Sequence, residues 1–176
     1  MMSLKRITAL LFVALFATTV GAAKTKTVKA TGPWVASGKA YQTGADTVLF
    51  VGAFSGVMLL DEPGEALDAA EFTCPGMQDV DYAKQRVKSS GRCIFETSGG
   101  NKVFARWSCE GDIGDCRGEM KLLAGTGVAE GITGGGTLRL RSFFADITEQ
   151  DDGEITVEKA VGLMTWPKLT YRLPND

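Results

Sequence analysis

The chain contains no histidine, so Ser-His-Asp and Cys-His nucleophilic catalysis are excluded. Any proton transfer would fall to carboxylates, to a lysine, or to Tyr41, Tyr82 and Tyr171. Glu71, Asp81 and Glu96 are the carboxylates whose strand positions could turn them into an apolar interior, where desolvation would raise their pKa. The competing reading is that all three face solvent, since acidic residues are rarely buried. Arg106 shares an alternating face with Phe104. Turned inwards it would orient an anionic group, and turned outwards it is ordinary surface.

Four cysteines, Cys74, Cys93, Cys109 and Cys116, are the other reactive groups. Their spacings are wide and irregular, no CxxC occurs, and the commonest nitrogen ligand is absent, so disulfides are expected ahead of a metal site. Three pairings are open. The favoured one closes the EGDIGD turn with Cys109–Cys116 and joins neighbouring strands with Cys74–Cys93. The acidic turns at 112–115 and 149–154 lack the D-x-[DN]-x-[DN]-G spacing that wraps oxygens around Ca²⁺. Aspartate and glycine are ordinary turn residues there.

The glycines at 125, 127, 131, 134, 135 and 136 invite a phosphate-loop reading, but no GxxxxGK[ST] is present and Glu130 stands where a dinucleotide fingerprint needs glycine. They read instead as backbone devices for tight turns and close approach. No cofactor is expected.

These residues need a scaffold, and its signals are those of short strands. Residues 102–109 place Val103, Ala105 and Trp107 on one face and Phe104, Arg106 and Ser108 on the other. Met120, Leu122 and Ala124 alternate with Glu119, Lys121 and Leu123, and Leu138, Leu140, Ser142 and Phe144 alternate with Arg139, Arg141 and Phe143. Residues 47–60 are apolar on both alternating sets, which predicts a strand covered on both faces. Residues 69–74 and 79–87 read as separate strands divided by Pro75-Gly76. Residues 91–97 form another, and 161–166 and 168–173 a pair divided by Pro167. A hairpin turn is expected at 150–153. Strands at this spacing, without long crossovers, predict an all-β chain, a single antiparallel barrel or sandwich.

The first 23 residues carry Lys5 and Arg6, an uncharged run from Ile7 to Val20, and small residues at 21–23. This is the layout of a secretory signal peptide, with cleavage after Ala22 or Ala23. The run falls short of the ~20 apolar residues of a spanning helix, and no later stretch reaches that length. Residues 24–176 would then be one domain in the periplasm or outside the cell. Loss of two basic residues takes the formal charge from −2 to −4, which argues against nucleic acid as a partner. The lysines between 24 and 29 read as a solvated tail.

The stretch GRCIFETSGGNKVFARWSCEG followed by CRGEMKLLAGTGVAEGITGGGTLRL resembles the later half of the allene oxide cyclase-like barrel group, which includes dirigent proteins. The resemblance rests on Ala124-Gly-Thr-Gly127 and Ala129-Glu-Gly-Ile-Thr-Gly134 and covers about 50 residues. It departs from the group at Ala124, where the group doubles its glycine, and at Val128, where an aromatic is common. It implies an eight-stranded antiparallel barrel, often oligomeric, with an axial cavity, and it transfers no catalytic residue. In such a barrel Phe50, Phe54, Arg106, Trp107, Phe144 and Tyr171 are the candidates to line a pocket for a small hydrophobic ligand, or else to fill a solid core. A binding or structural role is expected. The alternatives are a cyclase- or isomerase-type enzyme working in the lumen, or an architectural homo-oligomer.

Overall fold

The computed structural model describes residues 24–64, 67–149 and 155–174. Among them run eight strands: β1 (Thr25–Gln42), β2 (Thr47–Leu60), β3 (Ala70–Asp81), β4 (Arg86–Glu96), β5 (Lys102–Asp112), β6 (Asp115–Gly125), β7 (Thr133–Glu149) and β8 (Ile155–Arg172). Each pairs antiparallel with the next, and β1 pairs with β8, closing the barrel in simple up-and-down order. The two disulfides are Cys74–Cys93, between β3 and β4, and Cys109–Cys116, across the β5–β6 hairpin. The expected leader, residues 1–23, and the 150–153 turn lie outside the described residues.

The period of two decides which side chains enter the lumen. On β1 these are Val28, Ala30, Trp34, Ala36 and Ala40, all buried. The lysine-bearing segment at 24–29 is therefore not a tail. From Thr25 onwards it is strand, with Val28 inside, Lys29 outside, and Lys26 half-buried on the same alternating set as Val28, opposite Tyr171. An eight-stranded barrel has just enough room for its own side chains, so its largest rings lie over residues that have none. Phe72 lies against Gly32 and Gly56, where an added Cβ would stand 2.8 Å from the ring, and Trp34 lies over Gly162. The rings form two layers. Phe54 touches Trp34, Phe50 and Trp107 at centroid distances of 5.1, 6.0 and 5.7 Å. Phe72, Phe95 and Trp166 meet at 5.9 to 6.3 Å.

Several sequence expectations change here. Residues 70–81 are one strand running through Pro75-Gly76, and the expected strand at 79–87 is broken by a turn at 82–85. Proline offers no N–H, and the β3–β4 register has no pair between Thr73↔Ile94 and Gly76↔Gly91. The Cys74–Cys93 bridge spans that gap. Pro167 likewise sits inside β8, at bulges where the β1 and β7 registers both shift. A bulge at Phe104/Ala105 turns Ala124 outwards, against its expected place beside Met120 and Leu122. The second apolar face of β2 is not covered among the described residues, since Val51, Val57 and Leu59 are exposed.

The two ends of the barrel differ. At the end carrying the longer connections, Leu67, Ala129, Ile132 and Leu173 are buried and plug the lumen. The glycine run makes this plug: Gly127 and Gly131 adopt φ of 58° and 74° on either side of Ala129, around a single 3₁₀ turn at Gly127–Ala129. Asp68 anchors the other connection by accepting from the N–H groups of Leu60 and Gly64, each at 3.2 Å. The opposite end, with the short connections at 43–46, 82–85 and 113–114, is open among the described residues.

Candidate functional site

At the open end the lumen holds a cavity of about 310 Å³. Its floor is the upper aromatic layer, with Trp34, Phe50 and Phe54, and its walls include Ala36, Ala40, Val80 and Leu140. Phe143, Phe144 and Ile147 on β7, with Tyr82 and Ile113 on the hairpins, make an apolar rim open to solvent. The barrel is thus solid in its plugged half, where Phe72, Phe95 and Trp166 fill it, and hollow in its open half.

Two polar features stand out. Trp34 is only 3% exposed, and its indole Nε1, like those of Trp107 and Trp166, has no hydrogen-bond partner among the described residues. A buried donor left unsatisfied costs about 1–3 kcal/mol, and a ligand acceptor in the adjoining cavity would remove that cost. At the rim, Asp115 lines the cavity and accepts from Arg139 Nε at 2.7 Å and from a terminal guanidinium nitrogen at 2.6 Å. The hydrogen bonds from Arg139, with the charges of Arg139 and Arg117, hold the Asp115 carboxyl below the usual aspartate range.

The sequence-derived candidates separate. Phe50, Phe54 and Phe144 line the cavity. Trp107 closes the layer from the side, and its other edge reaches a groove on the outer wall. Arg106 is exposed on the outside of β5, so it presents no charge to the lumen. Tyr171 is buried in β8 near the plugged end, across from Gly134. Glu71 and Glu96 stand opposite each other on the outer surface, and Asp81 binds Lys84 at the edge of a turn. Asp112 and Asp115 engage Arg86 and Arg139. Trp34, one of three tryptophans whose Nε1 has no partner among the described residues, was not among the candidates. Its signal was present in the alternation Val28, Ala30, Trp34, Ala36, diluted by small and polar neighbours.

No family profile matches the chain, and no curated protein sequence does. Among solved structures it is similar to the pterocarpan synthase dirigent protein GePTS1, at 10% identity and a TM-score of 0.42, over 85% of this chain and 86% of that one.

Proposed function

We propose that the chain is an exported single-domain barrel, residues 24–176 released from a leader at 1–23, that holds a small, mainly apolar ligand in its open half. It would act in the periplasm or outside the cell. Membership of the allene oxide cyclase-like group, read from the glycine–threonine–glycine run, is part of this reading. The observation that carries it is the apolar cavity of about 310 Å³ beside the unpartnered Trp34 N–H. That volume is at the small end of ligand pockets, about 300–1,000 Å³, and such pockets are mostly apolar with a few placed polar groups. The ligand is therefore a compact apolar body carrying at least one carbonyl, ether or hydroxyl acceptor. Asp115, the carboxylate on the cavity wall, is engaged by Arg139 and kept ionised, which favours binding over proton transfer. Two disulfides suit an oxidising compartment. The exposed Val35, Val51, Val57 and Leu59 on β1 and β2 favour self-association, which light scattering on the purified protein would reveal.

The test is binding of a neutral fluorescent probe, N-phenyl-1-naphthylamine, together with native mass spectrometry of protein taken from its own compartment. Saturable enhancement is expected, weakened by Phe144→Asp at the exposed rim without loss of melting temperature. Absence of saturable binding in the folded wild type, or equal affinity in Phe144→Asp, would sink the reading.

A further inference from the structure

On the outer wall, Arg92 on β4, Arg106 on β5 and Lys121 on β6 stand in one row, with Arg92 opposite Arg106 and Arg106 opposite Lys121. All three are exposed. Directly opposed residues of antiparallel strands hold their Cβ atoms about 4.5–5.5 Å apart, and like charges so placed repel. The other charged pairs of β4 with β5 are neutralised in register. Arg86 meets Asp112 at 3.0 Å, Lys88 meets Glu110 at 3.7 Å, and Lys102 meets Glu96 at 3.3 Å. Of the charged cross-strand pairs of β4 and β5, only Arg92–Arg106 joins like charges, and none of the three cations has an ion pair or side-chain hydrogen bond among the described residues.

The row lines a groove of about 630 Å³ that also takes in Ser90, Ser108 and one carboxylate, Glu119. Behind it the wall is thin: Gly76 and Gly91 have no side chains, and the Trp107 indole reaches the groove between them. Two guanidinium forks, an ammonium and two hydroxyls converging on one depression match the oxygens of a tetrahedral anion. We propose that this groove binds a phosphate or sulfate group, free or as a monoester, at a site separate from the lumen. The anion relieves the repulsion within the row, and Glu119 limits its affinity from one side. An aryl or alkyl body on a monoester would rest on the exposed Met77, over the glycine-thinned wall in front of Trp107.

Isothermal titration calorimetry at low ionic strength, with inorganic phosphate, inorganic sulfate and phenyl phosphate, tests this. Saturable binding is expected for at least one of the three, weakened by added sodium chloride. Arg106→Gln should weaken it at least roughly tenfold, as loss of a charge-assisted hydrogen bond implies, and Glu119→Gln should tighten it. Binding of phenyl phosphate alone marks a monoester as the natural form, and equal binding of the inorganic ions marks the free anion. Arg106→Gln should melt no lower than the wild type, because the row repels itself when empty. A lower melting temperature would make Arg106 structural and overturn the proposal. So would lack of binding by all three anions, or unchanged affinity in Arg106→Gln, which would place phenyl phosphate elsewhere.

Discussion

Arg139 holds Asp115 with two parallel hydrogen bonds, Nε to Oδ1 at 2.7 Å and a terminal nitrogen to Oδ2 at 2.6 Å. The pair lies diagonally across β6 and β7, since Asp115 faces Arg141 and Arg139 faces Arg117 in the register. It fixes the edge of the mouth where the β5–β6 hairpin meets β7.

This geometry sets an acid limit. Asp115 is lowered from 3.8 first by the Arg139 hydrogen bonds. Asp81 is lowered by Lys84, and Asp68 by the backbone N–H groups of Leu60 and Gly64. A folded-state pKa below the unfolded value contributes stability above the unfolded value and loses it as pH falls through the folded one. The melting temperature should therefore hold down to about pH 4 and fall steeply beneath it. Asp115→Asn should make that fall shallower. An identical slope in the variant would refute the assignment.

Trp34→Phe separates stability from binding. Removing an unsatisfied N–H recovers about 1–3 kcal/mol, and losing part of the ring over Gly162 costs about 1–2 kcal/mol. Stability in denaturant should stay within about 1 kcal/mol of wild type by this balance. Affinity for a ligand bearing an acceptor should fall about tenfold. Unchanged affinity would show that the indole N–H makes no ligand contact.

Phe54 and Phe144 both line the cavity, yet Phe54 is 1% exposed at the centre of the upper ring layer and Phe144 is 59% exposed at the rim. Phe54→Ala should cost about 3–5 kcal/mol. Phe144→Ala should change stability by less than about 0.5 kcal/mol. Chemical denaturation of the two variants decides. Similar losses would mean that the rim is packed, not open.

The bridges should differ in worth. Their sequence separations are 19 residues for Cys74–Cys93 and 7 for Cys109–Cys116. Loop-closure entropy then predicts losses of about 3.3 and about 2.5 kcal/mol when each pair becomes alanine. The gap in the β3–β4 ladder beside Pro75 widens the difference. A larger loss at Cys109–Cys116 would count against this ordering.

Where the side chains carried strong contrast, the sequence was readable. Val103, Ala105 and Trp107 point inwards and Phe104, Arg106 and Ser108 outwards, as their alternation indicates. The favoured disulfide pairing is the one formed. Punctuation failed in two ways. Prolines 75 and 167 sit inside strands because a missing N–H is harmless where the ladder is already interrupted. The turn at 82–85 passed unnoticed because it uses Gln85 at φ 56° in place of glycine. The site was only half legible. Alternation separates inner from outer residues, but says nothing about height along the axis, which divides Phe50 and Phe54 at the cavity from Tyr171 near the plug.

The pairing of β1 with β8 has one more consequence. Thr27 reaches Thr170 by a 3.0 Å hydrogen bond between hydroxyls 143 positions apart in the chain. Every other ladder joins strands adjacent in sequence, so six hairpin seams can form before the final strand is made, but the two seams of β8, with β7 and with β1, must wait for it. Until then the sheet has two raw edges, each able to recruit a neighbouring molecule. A polypeptide cut short before β8 should therefore accumulate as aggregates, and a helper that shields those edges would raise the yield of the complete molecule.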